Sequence, residues 1–487
     1  MFSPLHFRRN GAVPVIERGP YLKILILTIA ALVTLTACQA MPRHFKPALE
    51  EEGEVYLYLQ PLPQEADRLS FNLEAVSAVR SDGLEVPLTL SLTELKGGEM
   101  HRQRLLAAGV LPSGAYRGLS FKVKNARVRT EDGVASLQTP ESATIIDNPF
   151  QVERKKASLL NLVFKYSESV RGEFSFTPVF SVLTPGKPVI GLVGYVSNYA
   201  SNTVTVFDKQ SMQVIGVIAT GRGPKGIAFD RVKRLAYVAA SDDNAIDVID
   251  IPNGEVVSRI TLNTGDNPQE LALTPDGKLL MTVNAGTNSV SFVDPFALIE
   301  TGRVNVGDGP ASILLDPSGR RAYVFNTLAN TMSVIDVAKR SVITTVSLDS
   351  WPSRGQFNSR GDTLYVIHEL SSYLSIIDPQ TLSITKRRFV GMGMNSIKVD
   401  SATDLIYAGK KHDSMLGVYD PFSIISVDSI RTGGAASYMT IDGEGNNLCV
   451  VAPGRKELLF VNLVSRKVVG TLDVGEDPYW VALMGER

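Results

Sequence analysis

Cysteine is nearly absent from this sequence: Cys38 and Cys449 are the only two in 487 residues. We expect Cys38 to be modified and Cys449 to lie in a core strand, which leaves no pair for a disulfide even in an oxidising compartment. A buried Cys449 is expected to behave as a small apolar side chain and not as a reactive thiol. The composition therefore excludes a disulfide-stabilised fold.

An excess of either charge is also missing, because 49 Lys and Arg oppose 50 Asp and Glu. The chain lacks the basic surplus typical of nucleic-acid-binding proteins, so we predict no nucleic-acid partner. It has no zinc-ligand spacing, phosphate-binding loop or nucleophile elbow. One histidine of the repeat region, His368, has no second ligand to accompany it, which is weak support for a metal or haem site. We predict no metal and no cofactor.

No hydrophobic run near the N-terminus is long enough to cross a bilayer as a mature helix. The apolar run Ile24–Ala37 has about 14 residues, follows a basic segment and directly precedes Cys38, which is the layout of a signal peptide. Leu35-Thr-Ala-Cys38 resembles a bacterial lipobox, which implies cleavage before Cys38 and lipidation of that residue. Gln39 in the next position favours the outer membrane over the inner one in a Gram-negative cell. An uncleaved anchor and a start codon assigned too early remain open.

The sequence does contain one stretch that is repeated seven times. A residue that ends an apolar run recurs at steps of 42 or 44 residues, at Asp208, Asp250, Asp294, Asp336, Asp378, Asp420 and Asn462. Each copy has four short β-branched runs separated by turn residues, which is typical of strands. Four-stranded units of this length are propeller blades. We predict that each recurring Asp accepts hydrogen bonds from its own hairpin turn.

The strand count predicts how the propeller closes. Residues 192–220 supply only the last three strands of a first blade. The tail Tyr479–Met484 aligns with a first strand and has no strand after it. We therefore predict seven blades in which the C-terminal strand completes the N-terminal blade, because this arrangement removes the open edges of a linear array.

Short motifs in the repeats carry a resemblance to a known family. Tyr195-Val-Ser-Asn198, Tyr323-Val-Phe-Asn326 and the strand start Asn202-Thr-Val resemble the repeats of YVTN-family β-propellers. The resemblance covers residues 191–487 and implies a seven-bladed propeller, but one scaffold supports many functions. Arg354 and the pair His368–Glu369 invite comparison with seven-bladed lactonases, although we find no match to lactonase motifs.

The region before the repeats alternates apolar and polar residues without the 42-residue period, which predicts an antiparallel β-sandwich. The segment that begins Leu111-Pro-Ser-Gly-Ala-Tyr116 resembles a lipoprotein-associated domain of unknown function. The predicted fold class is all-β, a seven-bladed propeller preceded by a β-sandwich-like domain. The predicted order is a signal peptide (1–37), a tether (38–53), the sandwich (54–185) and the propeller (191–487).

Departures from the repeat consensus indicate where a ligand would bind. Propellers bind ligands at the mouth of the central channel, and larger polar or aromatic residues replace the consensus there in blades five to seven. Drift on an exposed rim is the alternative explanation. The predicted ligand-binding residues are Arg354, Gln356, His368, Lys398, Lys410, Tyr438 and Trp480. Their charges favour an anionic or polar partner.

Two functions of different classes remain open from the sequence. The predicted anchor and the missing catalytic set favour a lipid-anchored cell-envelope protein that binds a protein, peptide or glycan, with no catalytic residues. The alternative is a periplasmic enzyme or cofactor carrier, either lactonase-like or haem-handling. The sequence names neither the ligand nor a reaction.

Overall fold

The structure is a computed structural model, which describes residues 46–131, 133–172 and 174–486. The predicted signal peptide and the predicted lipidation site, Cys38, lie outside these residues. Within the described ranges, no helix combines the length and the apolar character needed to cross a membrane. The structure confirms the predicted fold class, an all-β chain with a seven-bladed propeller.

The N-terminal region forms one ten-stranded sheet, with the neighbour order β12-β9-β1-β5-β3-β2-β6-β7 and with β4 on β2 and β8 on β6. A short helix, α1, and a two-stranded ribbon, β10–β11, lie between β9 and β12 in the chain. The elements are β1 Glu52–Leu59, β2 Leu69–Arg80, β3 Glu85–Leu90, β4 Glu94–Lys96, β5 Arg104–Pro112, β6 Gly114–Thr130, β7 Gly133–Ser136, β8 Thr144–Val152, β9 Ala157–Phe164, α1 Tyr166–Ser169, β10 Val170–Arg171, β11 Ser175–Phe176 and β12 Phe180–Leu183.

This sheet curves around its own hydrophobic core. The alternating residues Val55 and Leu57 of β1 are buried in one cluster with Phe71 of β2 and Phe121 of β6. β3 pairs with both β2 and β5, so a continuous path of hydrogen bonds joins the two halves of the sheet. One pair departs from the predicted antiparallel arrangement, because β1 and β9 are parallel.

The repeats form seven four-stranded antiparallel sheets, one for each predicted blade. Short 3-10 turns, Ser241–Asp243 and Pro453–Arg455, occupy the loops between the second and third strands of blades two and seven. The strands of blades one to four are β13 Val193–Asn198, β14 Thr203–Asp208, β15 Gln213–Ala219, β16 Pro224–Asp230, β17 Leu235–Ala240, β18 Ala245–Asp250, β19 Glu255–Thr261, β20 Pro268–Leu273, β21 Leu280–Asn284, β22 Ser289–Asp294, β23 Ile299–Asn305, β24 Pro310–Leu315, β25 Arg321–Asn326, β26 Thr331–Asp336 and β27 Ser341–Ser347.

The last three blades follow the same pattern, and one further strand ends the chain. The strands are β28 Pro352–Phe357, β29 Leu364–His368, β30 Tyr373–Asp378, β31 Ser383–Phe389, β32 Met394–Val399, β33 Ile406–Lys410, β34 Met415–Tyr419, β35 Ser426–Arg431, β36 Tyr438–Ile441, β37 Asn447–Ala452, β38 Glu457–Asn462, β39 Lys467–Asp473 and β40 Pro478–Leu483. β40 pairs with β13 as the innermost strand of blade one, so the closure predicted from the strand count is confirmed.

The recurring Asp residues cap hairpins, as predicted. A side-chain oxygen of Asp208 accepts a hydrogen bond from the backbone N–H of Ser211 at 2.7 Å. Asn462, which stands in the seventh repeat, accepts one from Ser465 at 2.9 Å. These residues stabilise turns on one face of the propeller, which we call the turn face. The opposite face carries the loops that enter each innermost strand and those that join the second strand to the third, and we call it the mouth face.

The second face of β1 packs on the propeller. Tyr56 and Tyr58 are buried with Leu159 of β9 in a cluster that includes Val214 of β15 and Leu472 of β39. β15 and β39 are the outermost strands of blades one and seven, the two blades that meet where the propeller closes. The N-terminal sheet therefore braces the closure.

Polar contacts also stabilise the interface between the N-terminal sheet and the propeller. Several of them involve Asp473, at the end of β39. Its carboxylate accepts hydrogen bonds from Arg102 at 2.7 Å, from Nε of Arg104 at 2.8 Å and from the Leu105 N–H at 3.0 Å. One carboxylate thus satisfies three donors of the N-terminal sheet.

Asp473→Ala is expected to destabilise the protein by about 2 kcal/mol, because Arg104 and the Leu105 N–H lose this acceptor and Arg102 keeps only its weaker contacts and its pair with Glu457. Thermal unfolding measures this effect. Asp428→Ala is the matched control. Asp428, on the outer strand β35, also pairs with an arginine, Arg466, but the contact is more exposed, and such pairs contribute about 0–1 kcal/mol. Equal losses in the two variants would contradict a bracing role for Asp473.

Candidate functional site at the channel

The innermost strands form a closed ring around the central channel, in the order β16, β20, β24, β28, β32, β36 and β40. Corresponding residues of these strands face one another across the channel. The ring that contains the predicted site residues consists of Gly226, Glu270, Ser312, Arg354, Ser396, Tyr438 and Trp480. Three of its members have little or no side chain, which leaves room for a long one to cross the channel.

Arg354 extends from blade five and forms an ion pair with Glu270 of blade three. Its Nη2 atom lies 2.5 Å from Oε1 of Glu270. The Glu270 side chain is only 2% exposed and that of Arg354 only 14% exposed. The pair is therefore largely shielded from water, where its attraction is stronger than at a surface and its desolvation costs more.

Two aromatic rings complete the cluster. The rings of Tyr438, in blade seven, and Trp480, in β40 of blade one, stack with centroids 3.6 Å apart and planes at 20°. The guanidinium carbon of Arg354 lies 4.9 Å from the Tyr438 centroid and 5.1 Å from that of Trp480. Side chains from four blades thus meet in the channel around one cation, in the geometry of cation–π contacts.

The buried position of Glu270 perturbs its acidity. Burial raises the pKa of the Glu270 carboxyl group from its ordinary value of 4.5 to about 7, because water no longer solvates the charged form. The Arg354 guanidinium, the Ile313 amide and Lys225 oppose this rise in the pKa without cancelling it. Glu270 can therefore change its charge near neutral pH.

A second cation lies beside this cluster at the start of β16. Nζ of Lys225 donates a hydrogen bond to the side-chain oxygen of Gln269 at 2.6 Å. It also lies 5.1 Å from the ring centroid of Tyr199 and 5.6 Å from that of Tyr479. The mouth over blades one to three consequently carries a cation between two aromatic rings.

Three of the seven predicted site residues, Arg354, Tyr438 and Trp480, are brought together. Gln356 and Lys398 occupy half-buried positions two residues beyond the ring, in β28 and β32. Lys410 ends β33 and pairs with Met394 in the strand ladder.

His368 is buried inside blade five. Its Nε2 lies 3.0 Å from Oγ of Ser375, and its Nδ1 lies 3.1 Å from the backbone oxygen of Asp349. In the equivalent position of blade one, Asn198 donates to Thr205 at 2.9 Å. His368 thus holds the second strand to the third as the asparagines do, and burial lowers its pKa to about 4.

The perturbed groups predict two opposite pH effects on stability. Glu270, whose pKa is raised on folding, contributes stability below about pH 4.5 that is lost as the pH rises through about 7. His368, whose pKa is lowered, contributes stability above about pH 6.5 that is lost as the pH falls through about 4. Glu270→Gln should remove the first loss and His368→Asn the second, measured as melting temperature against pH. Profiles parallel to that of the wild type in both variants would contradict these assignments.

Sequence reasoning missed Glu270, Lys225, Tyr479 and Tyr199. Glu270 was visible as the one acidic residue in the same ring as Arg354. The residues that directly precede the ring positions of blades one, two and three are Tyr479, Lys225 and Gln269. A search of each ring for residues of opposite charge would have predicted the ion pair between Glu270 and Arg354.

Two clefts lie away from the channel. One of about 750 Å³ runs between the N-terminal sheet and blades one and two, and another of about 1310 Å³ lies among the turns of blades three to five. The turn face therefore carries a cleft as well as hairpin turns. Its lysines lie near local aspartates, as Lys278 does near Asp276 at 3.7 Å.

Two further observations concern the metal-ligating side chains and the free cysteine of the described residues. Among the residues that the structure describes, no three His, Cys, Asp or Glu side chains lie close enough to hold a metal ion. Cys449 is buried in β37, and burial raises the pKa of its thiol, so the reactive thiolate is disfavoured.

Residues 195–353 match the family model for "Lactonase, 7-bladed beta-propeller". This match includes Glu270 and ends one residue before Arg354, although the sequence reading found no lactonase motif. It covers about a third of the chain, in blades one to four and the start of blade five. No curated protein matches the sequence.

Solved structures resemble the chain at low identity. An uncharacterised protein of Desulfotomaculum acetoxidans matches 60% of this chain and 98% of its own, with 16% identity and a TM-score of 0.53, which shows the fold alone. Hydrazine synthase of Kuenenia stuttgartiensis matches 52% and 87%, with 18% identity and a TM-score of 0.47. The dihydro-haem d1 dehydrogenase NirN matches 62% and 78%, with 16% identity and a TM-score of 0.49. The last two are too distant to support an argument.

Proposed function

We propose that the protein is a lipid-anchored binding module of the bacterial cell envelope, which holds a protein, peptide or glycan partner at the mouth of its channel. The supporting observation is Arg354, which crosses the channel to Glu270 and lies against Tyr438 and Trp480. Apolar residues would fill this space at lower desolvation cost. A charged cluster at positions where the repeat is otherwise small therefore favours a role in recognition.

The ion pair suggests how a ligand would bind. Protonation of Glu270 weakens its hold on Arg354, which can then donate charge-assisted hydrogen bonds to an anionic group. Lys225 adds positive charge at the neighbouring blade, and the aromatic rings offer apolar surface. Binding of an anionic ligand should therefore strengthen as the pH falls from about 8 to about 6.

Tryptophan fluorescence tests this binding site. The chain has two tryptophans, so Trp351→Phe leaves Trp480 as the only one. We would titrate this variant with a soluble anionic glycan–peptide fragment of the bacterial cell wall, and we expect a saturable change in Trp480 emission. Combining Glu270→Met with Arg354→Met should abolish the change, whereas Lys278→Ala with Arg320→Ala on the turn face should preserve it. The reverse result would reject the channel as the site.

The proposed anchor makes a separate prediction. Cys38→Ala should move the protein from the membrane fraction to the soluble fraction, because acyl chains contribute about 0.8 kcal/mol for each buried CH₂. Fractionation and mass analysis of the mature N-terminus measure this. Unchanged fractionation, or a mature protein that begins upstream of Cys38, would contradict lipidation.

Hydrolysis of a lactone is the second candidate function, favoured by the family match and by the pKa of Glu270 near 7. A general base needs hydrogen-bond access to the proton that it removes. Glu270 is enclosed beneath Arg354, so this function requires Arg354 to move aside. Glucono-δ-lactone hydrolysis that Glu270→Gln abolishes would favour the enzyme, and hydrolysis unaffected by Glu270→Gln would count against it.

A further inference from the structure

Each blade of the propeller ends at an outer strand, whose free edge has no further strand of the same blade beside it. The N–H and C=O groups on such an edge can pair with another strand, and charged side chains on the edge discourage this. The outer strands β19, β23, β31, β35 and β39 each carry at least two charged residues. The other two, β15 and β27, carry none.

The N-terminal sheet covers the first of these uncharged edges. Val214 of β15 is 1% exposed and is buried in one cluster with Leu159 of β9. The N–H of Val214 donates to the side-chain oxygen of Gln103 at 2.7 Å, and the side-chain nitrogen of Gln103 donates to the Val214 backbone oxygen at 3.1 Å. Gln103 therefore satisfies both backbone groups of Val214, as a neighbouring strand would.

The second uncharged edge, that of β27, has no such cover among the described residues. It lies in blade four, across the channel from blades one and seven, on which the N-terminal sheet packs. Its side chains alternate between half-buried and exposed, and Ile343 is 48% exposed. A β-bulge at Ile343 recurs in the outer strands of all seven blades. The missing charge is therefore what distinguishes β27 from the other free edges.

The sequence of β27 is suited to pairing with itself. Ser341-Val-Ile-Thr-Thr-Val-Ser347 reads nearly the same in both directions. Antiparallel pairing about Thr344 would place Val342 opposite Val346 of the second copy, serine opposite serine and isoleucine opposite threonine. Pairs of β-branched residues stabilise antiparallel ladders, and no like charges meet in this register.

Charges beyond the two ends of β27 favour the antiparallel arrangement. Lys339 and Arg340 directly precede the strand, and Asp349 follows it closely. Antiparallel pairing brings the basic end of one copy beside the acidic end of the other. Lys339 is 79% exposed and lies 3.7 Å from Asp336, whereas Asp349 contacts Arg387 at 3.1 Å. Because both groups already have a local partner, the attraction selects the orientation more than it adds affinity.

We propose that two copies of this chain associate by antiparallel pairing of β27 with β27, which joins two four-stranded blades into one continuous sheet. The contact is isologous, because both copies use the same edge. One strand pair is small compared with stable interfaces, which bury about 1,200–2,000 Å², so the dimer should be weak and depend on concentration. Pairing at the rim leaves both channel mouths open, and it depends neither on the proposed anchor nor on the channel ligand.

Thiol crosslinking in whole cells tests this pairing. Thr345→Cys places an exposed thiol beside the proposed twofold axis, and a short bismaleimide joins two such thiols only when they lie close together. We expect the full-length protein to give a product of twice the chain mass. Ser429→Cys, at the equivalent exposed position of β35, is the matched control and should give little of this product. Both variants keep Cys38 and the buried Cys449, so the native thiols contribute equally.

Added charge on the edge provides a second readout. Ile343→Lys combined with Thr344→Lys in the Thr345→Cys background places like charges opposite each other, and the crosslinked product should fall about tenfold. Blade five carries a lysine at the position equivalent to Thr344, so the fold accommodates one there, and melting temperature verifies that the variant is folded. Ser426→Lys combined with Val427→Lys adds the same charge to β35 and should leave the product unchanged.

The comparison of positions 345 and 429 decides the proposal even where the lysine variant fails to fold. Absence of the crosslinked product at position 345 would overturn the pairing, as would equal amounts of product at the two positions. A folded lysine variant that crosslinks as well as its parent would also overturn it.

Discussion

Deletion of Tyr479–Arg487 is expected to abolish cooperative folding of the propeller. The deletion removes nearly all of β40, the innermost strand of blade one, which pairs with β13. Val481 and Leu483 are fully buried, and burial of each contributes about 1.5–3 kcal/mol. The lost strand hydrogen bonds add about 1 kcal/mol each, so the total approaches the stability of a whole domain, about 5–15 kcal/mol.

The control for this deletion is removal of Arg487 alone, which leaves β40 complete. Thermal unfolding followed by circular dichroism should show one cooperative transition for the control and none for the longer deletion. A long deletion that melts within a few degrees of the wild type would mean that β40 does not close the propeller.

Glu270→Ala is expected to cost about 3–5 kcal/mol, because it leaves the largely buried Arg354 guanidinium without its carboxylate. Glu270→Gln keeps an oxygen near the guanidinium and mimics the protonated acid, so its cost near pH 7 should be much smaller. Denaturant unfolding at constant pH measures both.

Replacement of both partners shows whether the loss comes from the unpaired charge. Glu270→Met combined with Arg354→Met should recover most of the stability that Glu270→Ala removes, because neither member of the pair then remains buried and charged. Ser312→Ala, in the same ring, should change stability little. A Glu270→Ala variant as stable as wild type would contradict the paired arrangement.

The propeller could be predicted in detail because the same pattern of strands and turns recurs seven times in the sequence. The spacing of the Asp series gave the blade boundaries, and the unmatched tail gave the closure. The N-terminal sheet has no repeat, and its strand pairing depends on long-range contacts, so the parallel pair of β1 and β9 could not be predicted. The packing of the N-terminal sheet on the propeller had one indication in the sequence. Tyr56 and Tyr58 are large aromatic residues on the face of β1 that a free sheet would expose.

The site could be predicted only in part. The sequence indicated the ring in which Arg354, Tyr438 and Trp480 meet, because these residues depart from the small residues of the repeat. It could not show which side chains meet across the channel. Glu270 comes from blade three and forms an ion pair with Arg354. His368 replaces an asparagine and forms hydrogen bonds within its own blade. These outcomes depend on side-chain length and direction, which the alignment of repeats does not contain.

Photo-crosslinking in living cells tests the central claim, that the partner binds at the channel mouth, most directly. Benzoylphenylalanine would replace Tyr199 at the mouth, and in separate variants Phe296 or Phe422 on the turn face, so each exchange is aromatic for aromatic. After irradiation, mass analysis of the intact protein would reveal the adducts. We predict a defined adduct at position 199 and none at positions 296 and 422. Adducts on the turn face alone, or at none of the three positions, would contradict the proposed binding site.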